Sequence, residues 1–353
     1  MYTKTLFLMS LAQQRVAVII SGAYRTLTDC NGSIAHHIFD ANPSVEFDVY
    51  AYLTTDVADK GKQRMMERAV RFGRACVAAV RIESNAAVTS AVHRDMPHSG
   101  RVPFGRGTAH GKAGNIIKMF RGIALAWKLL DEHVATQRME GGNCNRTARN
   151  PGPEIMPVAN TYRLVLRLRP DLCFCGPLDL QPALDRPGEW WLPWASPSNS
   201  LAFDQIAVGS PAMMSVYASA YGTTVRGLVA AATELYPEQV MWRHLAEHGG
   251  SARGRIATLS GFSASLARGH RTDGIPHLED PFGKLRADLS GFLGARDVHV
   301  PPYACKHKHV EREHAGWLRE GWRPYKAATR LATRADWCIH SRRPCMHAEA
   351  PWN

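Results

Sequence analysis

Three short runs constrain the fold of this chain more than anything else in it. "RVAVII" (residues 15–20), "VEFDVYAYLTTD" (45–56) and "ACVAAVRIE" (75–83) are almost continuously apolar, β-branched or aromatic. A strand with one wet face alternates polar and apolar residues; a strand covered on both faces has no need to. Helix-like segments separate the runs, "SIAHHIFD" after the first and "DKGKQRMMERAVRFG" after the second. Strand and helix alternating in this way predict an α/β domain, with a mainly parallel sheet and helices on both faces. The stretch "SGAYRTLTDCNGS", with Gly22, reads as the turn between first strand and first helix.

Further along, Val92 to Gly114 turns to Gly, His, Arg and Pro and reads as a long loop. "NIIKMFRGIALAWKLLDEH" (115–133) then carries Ile116, Met119, Phe120, Ile123, Trp127 and Leu130 at helical spacing, one apolar face. Lys118 and Arg121, off that face, read as solvated. Residues 134–158 form a second insertion without periodicity. "EWWLPW" (189–194) and "IAVGS" read as strands. Ser210-Pro211 and Pro237, with Gly249 at the far end, punctuate two helices. The expected organisation is a short N-terminal segment (1–14), a main domain (15–260) with insertions near 92–114 and 134–158, and a basic extension (261–353) with short elements only.

The formal net charge of +12 is spread along the 353 residues and favours anionic partners. No stretch approaches the roughly 20 apolar residues of a membrane span. "MYTKTLFLMSLAQQ" makes a poor signal peptide. A soluble protein is expected, in the cytoplasm or in the lumen of the secretory pathway. Eight cysteines at this length are not a disulfide framework, and Cys173 and Cys175 read as small apolar strand residues. Cys305, His307, His309 and His314, with Cys338, His340, Cys345 and His347, match no standard zinc spacing and read as a basic, His-rich surface. Asn31 and Asn145 open glycosylation triplets of a kind that chance also produces.

The chemistry concentrates in "YRLVLRLRPDLCFCGPLDL" (162–180). Period two puts Leu164, Leu166, Leu168 and Pro170 on one face and Arg163, Val165, Arg167, Arg169 and Asp171 on the other. Open α/β sheets bind ligands at the carboxyl ends of their strands, which these three charges approach in order. Two cations followed by a carboxylate suit a diphosphate with a metal ion. On composition alone they suit an internal salt bridge that staples a loop somewhat better.

Together with "VAVIISGAYRTL", "FDVYAYLTTD", "FDQIAVGSPAMMSVY" and "LYPEQVMWRHLAEHG", this strand resembles a family of nucleotide-sugar glycosyltransferases over residues 15–250. Its members carry an Arg-x-Arg-Pro-Asp-like motif, then Asp-Gln, then Pro-Glu. The resemblance implies a GT-A-like fold, with a mainly parallel Rossmann-type sheet. It implies a nucleotide-sugar donor and a glycan or other hydroxyl acceptor. Gly22 and Arg25 would then hold the nucleotide, with Arg167, Arg169 and Asp171 at the diphosphate. Asp171 falls at the last carboxylate of the family's metal-binding Asp-x-Asp, but Arg169 stands where the first Asp would be. A divalent ion (Mn²⁺ or Mg²⁺) on Asp171 therefore stays open, since an arginine can neutralise a leaving diphosphate itself. Asp204 and Glu238 are the two candidates for the catalytic carboxylate. Gln205 and Trp194 would meet the sugar or acceptor; core packing accounts for at least one of Trp190, Trp191 and Trp194, since Trp190 and Trp191 face opposite sides of their strand.

Two other readings compete. A sulfotransferase needs a similar basic strand–turn–helix, but its Lys-Ser-Gly-Thr element is missing. A nucleic-acid-binding protein would use the positive charge, but no recognised motif is present and the charge is dispersed. Nucleic acid is accordingly not the expected partner.

Overall fold

The residues of the first run pack as an all-apolar strand must. The computed structural model describes residues 14–102, 113–136, 158–174, 176–193, 195–196, 200–233, 235–249, 256–259, 264–270 and 276–279. Strand β1 (Gln14–Ala23) sends Val16, Val18 and Ile20 into one core and Ala17 and Ile19 into another, on opposite faces of the sheet. Helix α1 (Tyr24–Ile34) follows at once and runs into a wide turn over Ala35–Asp40. Next come β2 (Val45–Thr55), α2 (Lys60–Ala69), β3 (Cys76–Ser84), α3 (Asn85–Asp95) and the long α4 (Ala113–Thr136). The middle of the chain supplies α5 (Val158–Thr161), β4 (Leu164–Leu168), β5 (Leu172–Phe174), α6 (Gln181–Asp185), β6 (Trp190–Leu192), β7 (Ala195–Ser196), β8 (Leu201–Ala202) and β9 (Ile206–Gly209). The remaining elements are α7 (Pro211–Ala218), α8 (Thr224–Ala230), α9 (Pro237–His248), β10 (Ile256–Thr258), β11 (Ala264–His270) and β12 (Pro276–Glu279).

The main sheet has seven strands in the order β10-β6-β9-β4-β1-β2-β3. All its pairings are parallel except those of β9, which runs antiparallel to both β4 and β6. The expected α/β class, with a mainly parallel sheet, is the one observed. Leu164, Leu166 and Leu168 join the core on the α1 side, while Val165 joins α4, α7 and α9 on the other. The two faces of β4 are thus those that period two assigns.

Several details differ from the sequence reading, each for a physical reason. The "SGAYRTLTDC" stretch is no long turn: α1 starts at Tyr24, because Tyr24, Leu27, Cys30 and Ile34 recur at three and four and bury one stripe. That packing overrides the weak helix propensities of Thr, Asp, Asn and Gly. The loop expected from Val92 starts later, since α3 continues to Asp95, capped by the Ser84 hydroxyl accepting from the Ala87 N–H. Past residue 260 the chain rejoins the domain: β11 pairs antiparallel with β5, Ala264 opposite Phe174 and Leu266 opposite Leu172.

The cysteines differ most. Cys173 is not a free apolar filler but is disulfide-bonded to Cys30, which ties α1 to β5 across 143 residues. A covalent closure of a loop that long stabilises a fold by about 2–5 kcal/mol, mainly through the unfolded chain. Cys76 is disulfide-bonded as well. Asn31 is 5% exposed inside α1, so its glycosylation triplet is closed off in the folded chain. No helix among the described residues is long and apolar enough to cross a membrane.

Candidate active site

Strand β4 stops at Leu168, and the chemistry begins where its ladder ends. Arg167 lies between Ile19 of β1 and Ala207 of β9. It is 0% exposed. Its Nη1 donates to the Gln205 carbonyl, while Nε and Nη2 find no partner among the described residues. Burial lowers its pKa, opposed chiefly by Tyr217 and Asp204. An arginine so placed costs several kcal/mol of desolvation that its single hydrogen bond does not offset.

Two residues on, the Arg169 backbone N–H donates to the same Gln205 carbonyl at 3.1 Å. Its side chain forms a two-pronged pair with Asp171, Nε to Oδ1 at 2.9 Å and Nη2 to Oδ2 at 2.6 Å. Burial works against the Arg169 charge, but Asp171, then Asp204 and Glu238, more than restore it and its pKa rises. Both carboxylates come from other segments. Asp204 precedes β9 and is 2% exposed; Glu238 sits in the first turn of α9 and is 8% exposed. Pro237 starts that helix, and the dipole at its amino end favours a carboxylate there. Burial pushes the Asp204 pKa up, with Arg169 and Arg167 pulling it back.

The carboxyl end of β1 closes on this cluster through a glycine. Gly22 has φ +149, and a Cβ there would lie 2.6 Å from both Cγ and Cδ of Pro170. Only glycine lets this end of β1 approach the end of β4 so closely. Arg25 is exposed in the first turn of α1. The fold therefore gathers Arg167, Arg169, Asp171, Asp204, Gln205 and Glu238, with Gly22 against the proline between Arg169 and Asp171. Trp194 lies outside the described residues. Trp190 and Trp191 are core residues, 1% and 4% exposed, with Nε1 donating to the Met213 and Arg186 carbonyls. The His- and Cys-rich segments at 305–314 and 338–347 also lie outside the described residues.

Sequence reasoning missed Tyr217. This α7 tyrosine is wholly buried and donates its hydroxyl to the Asp204 carbonyl at 3.0 Å, pinning the loop that carries Asp204 and Gln205. Its only signal was an aromatic on the apolar face of a short helix. Arg121 was read as solvated, yet it donates to the Tyr52 hydroxyl at 3.1 Å and lies 3.6 Å from Asp95 and 3.9 Å from Glu83. It staples α4 to β2, β3 and α3.

The donor set bears on the metal question. Both Asp171 oxygens accept from Arg169. Among the described residues no group of three or more His, Cys, Asp or Glu side chains is disposed to hold a metal ion. A divalent ion on Asp171 would have to share that carboxylate with the guanidinium bonded to both its oxygens, an arrangement that like-charge repulsion disfavours.

No family model matches this chain, and no curated protein matches it. Among solved structures the chain is similar to the apo form of mouse xyloside xylosyltransferase 1, at 10% identity and a TM-score of 0.35, over 70% of this chain and 85% of that one. It is also similar to core-mannan synthase A from Aspergillus fumigatus in an Mn/GDP form, at 9% identity and a TM-score of 0.38, over 81% of this chain and 87% of that one.

Proposed function

We propose that this chain is a glycosyltransferase that moves a sugar from a nucleotide-sugar donor to a hydroxyl of a glycan or other acceptor. The observation that carries the reading is the convergence of the Arg-x-Arg-Pro-Asp, Asp-Gln and Pro-Glu segments on one buried cluster at the carboxyl end of β4, where an open α/β sheet binds its ligands. Those are the three motifs that carry the family resemblance. The Arg167 N–H groups and the Gln205 Oε1 that are buried without a partner among the described residues support a polar ligand there.

In this reading Gly22 and Arg25 flank the nucleotide at the β1–α1 turn. Arg169 spends Nε and Nη2 on Asp171 and keeps its Nη1 edge for the diphosphate, with Arg167 adding positive potential from below. Gln205 and Trp194 meet the sugar or the acceptor. The acceptor hydroxyl attacks the anomeric carbon, the bond from that carbon to the diphosphate breaks, and the hydroxyl proton passes to a carboxylate. Glu238 takes that proton, being the less buried of the two candidates, while Asp204 orders the arginines.

The test is donor cleavage. The full chain is incubated with UDP-, GDP- and CMP-linked sugars, with and without sugar acceptors, and free nucleotide is measured by chromatography. Release from one nucleotide class, abolished in Glu238→Gln, is expected. Absence of release and of binding with every donor, alongside a shift with phosphoadenosine phosphosulfate or salt-sensitive binding of nucleic acid, contradicts the reading.

A further inference from the structure

We propose that the cation of this site is built into the chain: the Arg169 guanidinium, bonded to both oxygens of Asp171, takes the place of a divalent metal ion, and the site binds nucleotide without one. The catalytic half of this inference rests on the glycosyltransferase reading. The geometric half does not.

The pair with Asp171 is a fork on a fork, two parallel charge-assisted hydrogen bonds that use both carboxylate oxygens. A divalent ion would need those oxygens at roughly 2.0–2.6 Å. It would then face the fixed positive charge of Arg169 across one carboxylate. Arg169 has little freedom to withdraw. Its backbone N–H is tied to the Gln205 carbonyl, which Arg167 also holds, and its side chain is 20% exposed. The loop on the far side is pinned in turn by Tyr217 on the Asp204 carbonyl.

The charge balance points the same way. Two guanidinium groups, Arg167 and Arg169, share this end of the sheet with Asp171, Asp204 and Glu238, so the chain already supplies positive charge beside its carboxylates. A lysine could not do the same work, because a single ammonium cannot bridge both oxygens of Asp171 while presenting a second edge outward. Arg169 is accordingly a positioning residue for Asp171 as well as the charge that a diphosphate would meet.

The test is Mn²⁺ binding to the full chain, followed by the loss of the free-ion signal in electron paramagnetic resonance. The wild type is expected to leave that signal unchanged into the millimolar range. Arg169→Ala, shown folded by its circular dichroism and melting, uncovers both oxygens of Asp171 and is expected to bind Mn²⁺ at least tenfold more tightly than the wild type. Adding Asp171→Asn to it should abolish the gain. Stoichiometric binding by the wild type that Asp171→Asn removes overturns the proposal, and so does a folded Arg169→Ala that gains no ion. Should that variant not fold, thermal shift of the wild type with UDP, GDP and CMP decides instead. Stabilisation that persists in EDTA supports the proposal, and stabilisation that requires Mn²⁺ overturns it. Lack of any nucleotide shift sinks the glycosyltransferase reading, while the wild-type Mn²⁺ titration still decides this one.

Discussion

The two ends of β1 and β4 use the same residue types to opposite effect. At the amino end Arg15 donates to Asp48 at 2.7 Å, Tyr162 donates to the same Oδ2 at 3.0 Å, and the Tyr50 and Tyr162 hydroxyls meet at 2.7 Å. One carboxylate collects a cation and a phenol, and Arg15 also lies over the Tyr162 ring. At the carboxyl end Arg167 Nε and Nη2, Gln205 Oε1 and Ser21 Oγ are buried without a hydrogen-bond partner among the described residues, as are Arg15 Nε and Gln14 Oε1 at the amino end. The ends differ in how the cation is paired: Arg15 bonds a carboxylate, whereas Arg167, wholly buried, has only a backbone carbonyl as its hydrogen-bond partner among the described residues.

Substitutions that separate activity from stability would break or sharpen this contrast. The largest expected effect is at the carboxyl end, where Glu238→Gln should lower turnover by about 10²- to 10⁴-fold, as loss of a general base does. Its melting temperature should stay within a few degrees of the wild type. The disulfide next to the site comes second. Replacing Cys30 and Cys173 with alanine should cost about 2–5 kcal/mol in chemical denaturation. At the amino end Asp48→Asn leaves the arginine and the phenol without their shared carboxylate and should cost about 2 kcal/mol, discounted because Arg15 is 33% exposed. Nucleotide affinity should be unaffected.

Arg167→Met carries the opposite sign. An apolar side chain of similar length removes an under-partnered buried charge, so the melting temperature should hold or rise by roughly 2–4 °C while ligand binding falls. A drop of many degrees would make Arg167 a staple like Arg15 and erase the contrast between the ends.

The last expected effect concerns pH. Burial, with His36 beside it, lowers the His37 pKa to about 4 from 6.5. Between those values the unfolded chain binds the extra proton, so stability should rise with pH from about 4 to 6.5 and level off above. The change is at most on the order of 3 kcal/mol. His36, His133 and His244 are shifted the same way by burial and add to the slope. Denaturation at a series of pH values, repeated on His37→Asn, should show a shallower slope in the variant.

What was legible in the sequence is what local chemistry decides. The uninterrupted apolar run at 15–20 announced a doubly covered strand. Ser210 before Pro211 announced α7, where the Ser210 hydroxyl does accept from the Met213 N–H. Pro237 and Gly249 bracketed α9. Period two assigned the faces of β4, and the order of its charges located the candidate site. What was not legible depends on partners distant along the chain. The reversal of β9, the pairing of β11 with β5 and the bond between Cys30 and Cys173 leave no trace in a short window. Gly22 was legible as a turn residue, but its need to pass Pro170 within van der Waals distance was not. Tyr217 and Arg121 looked like core and surface respectively, since neither spacing nor composition says which side chains meet in space.

The central claim, a nucleotide site at the carboxyl end only, is tested most directly by calorimetric titration of UDP, GDP and CMP into three proteins. These are the wild type, Asp48→Asn at the amino end and Asp171→Asn at the carboxyl end. One nucleotide binding the first two alike, and Asp171→Asn at least tenfold more weakly, is the result the account predicts. Binding that ignores Asp171, or no binding of any of the three, would contradict it.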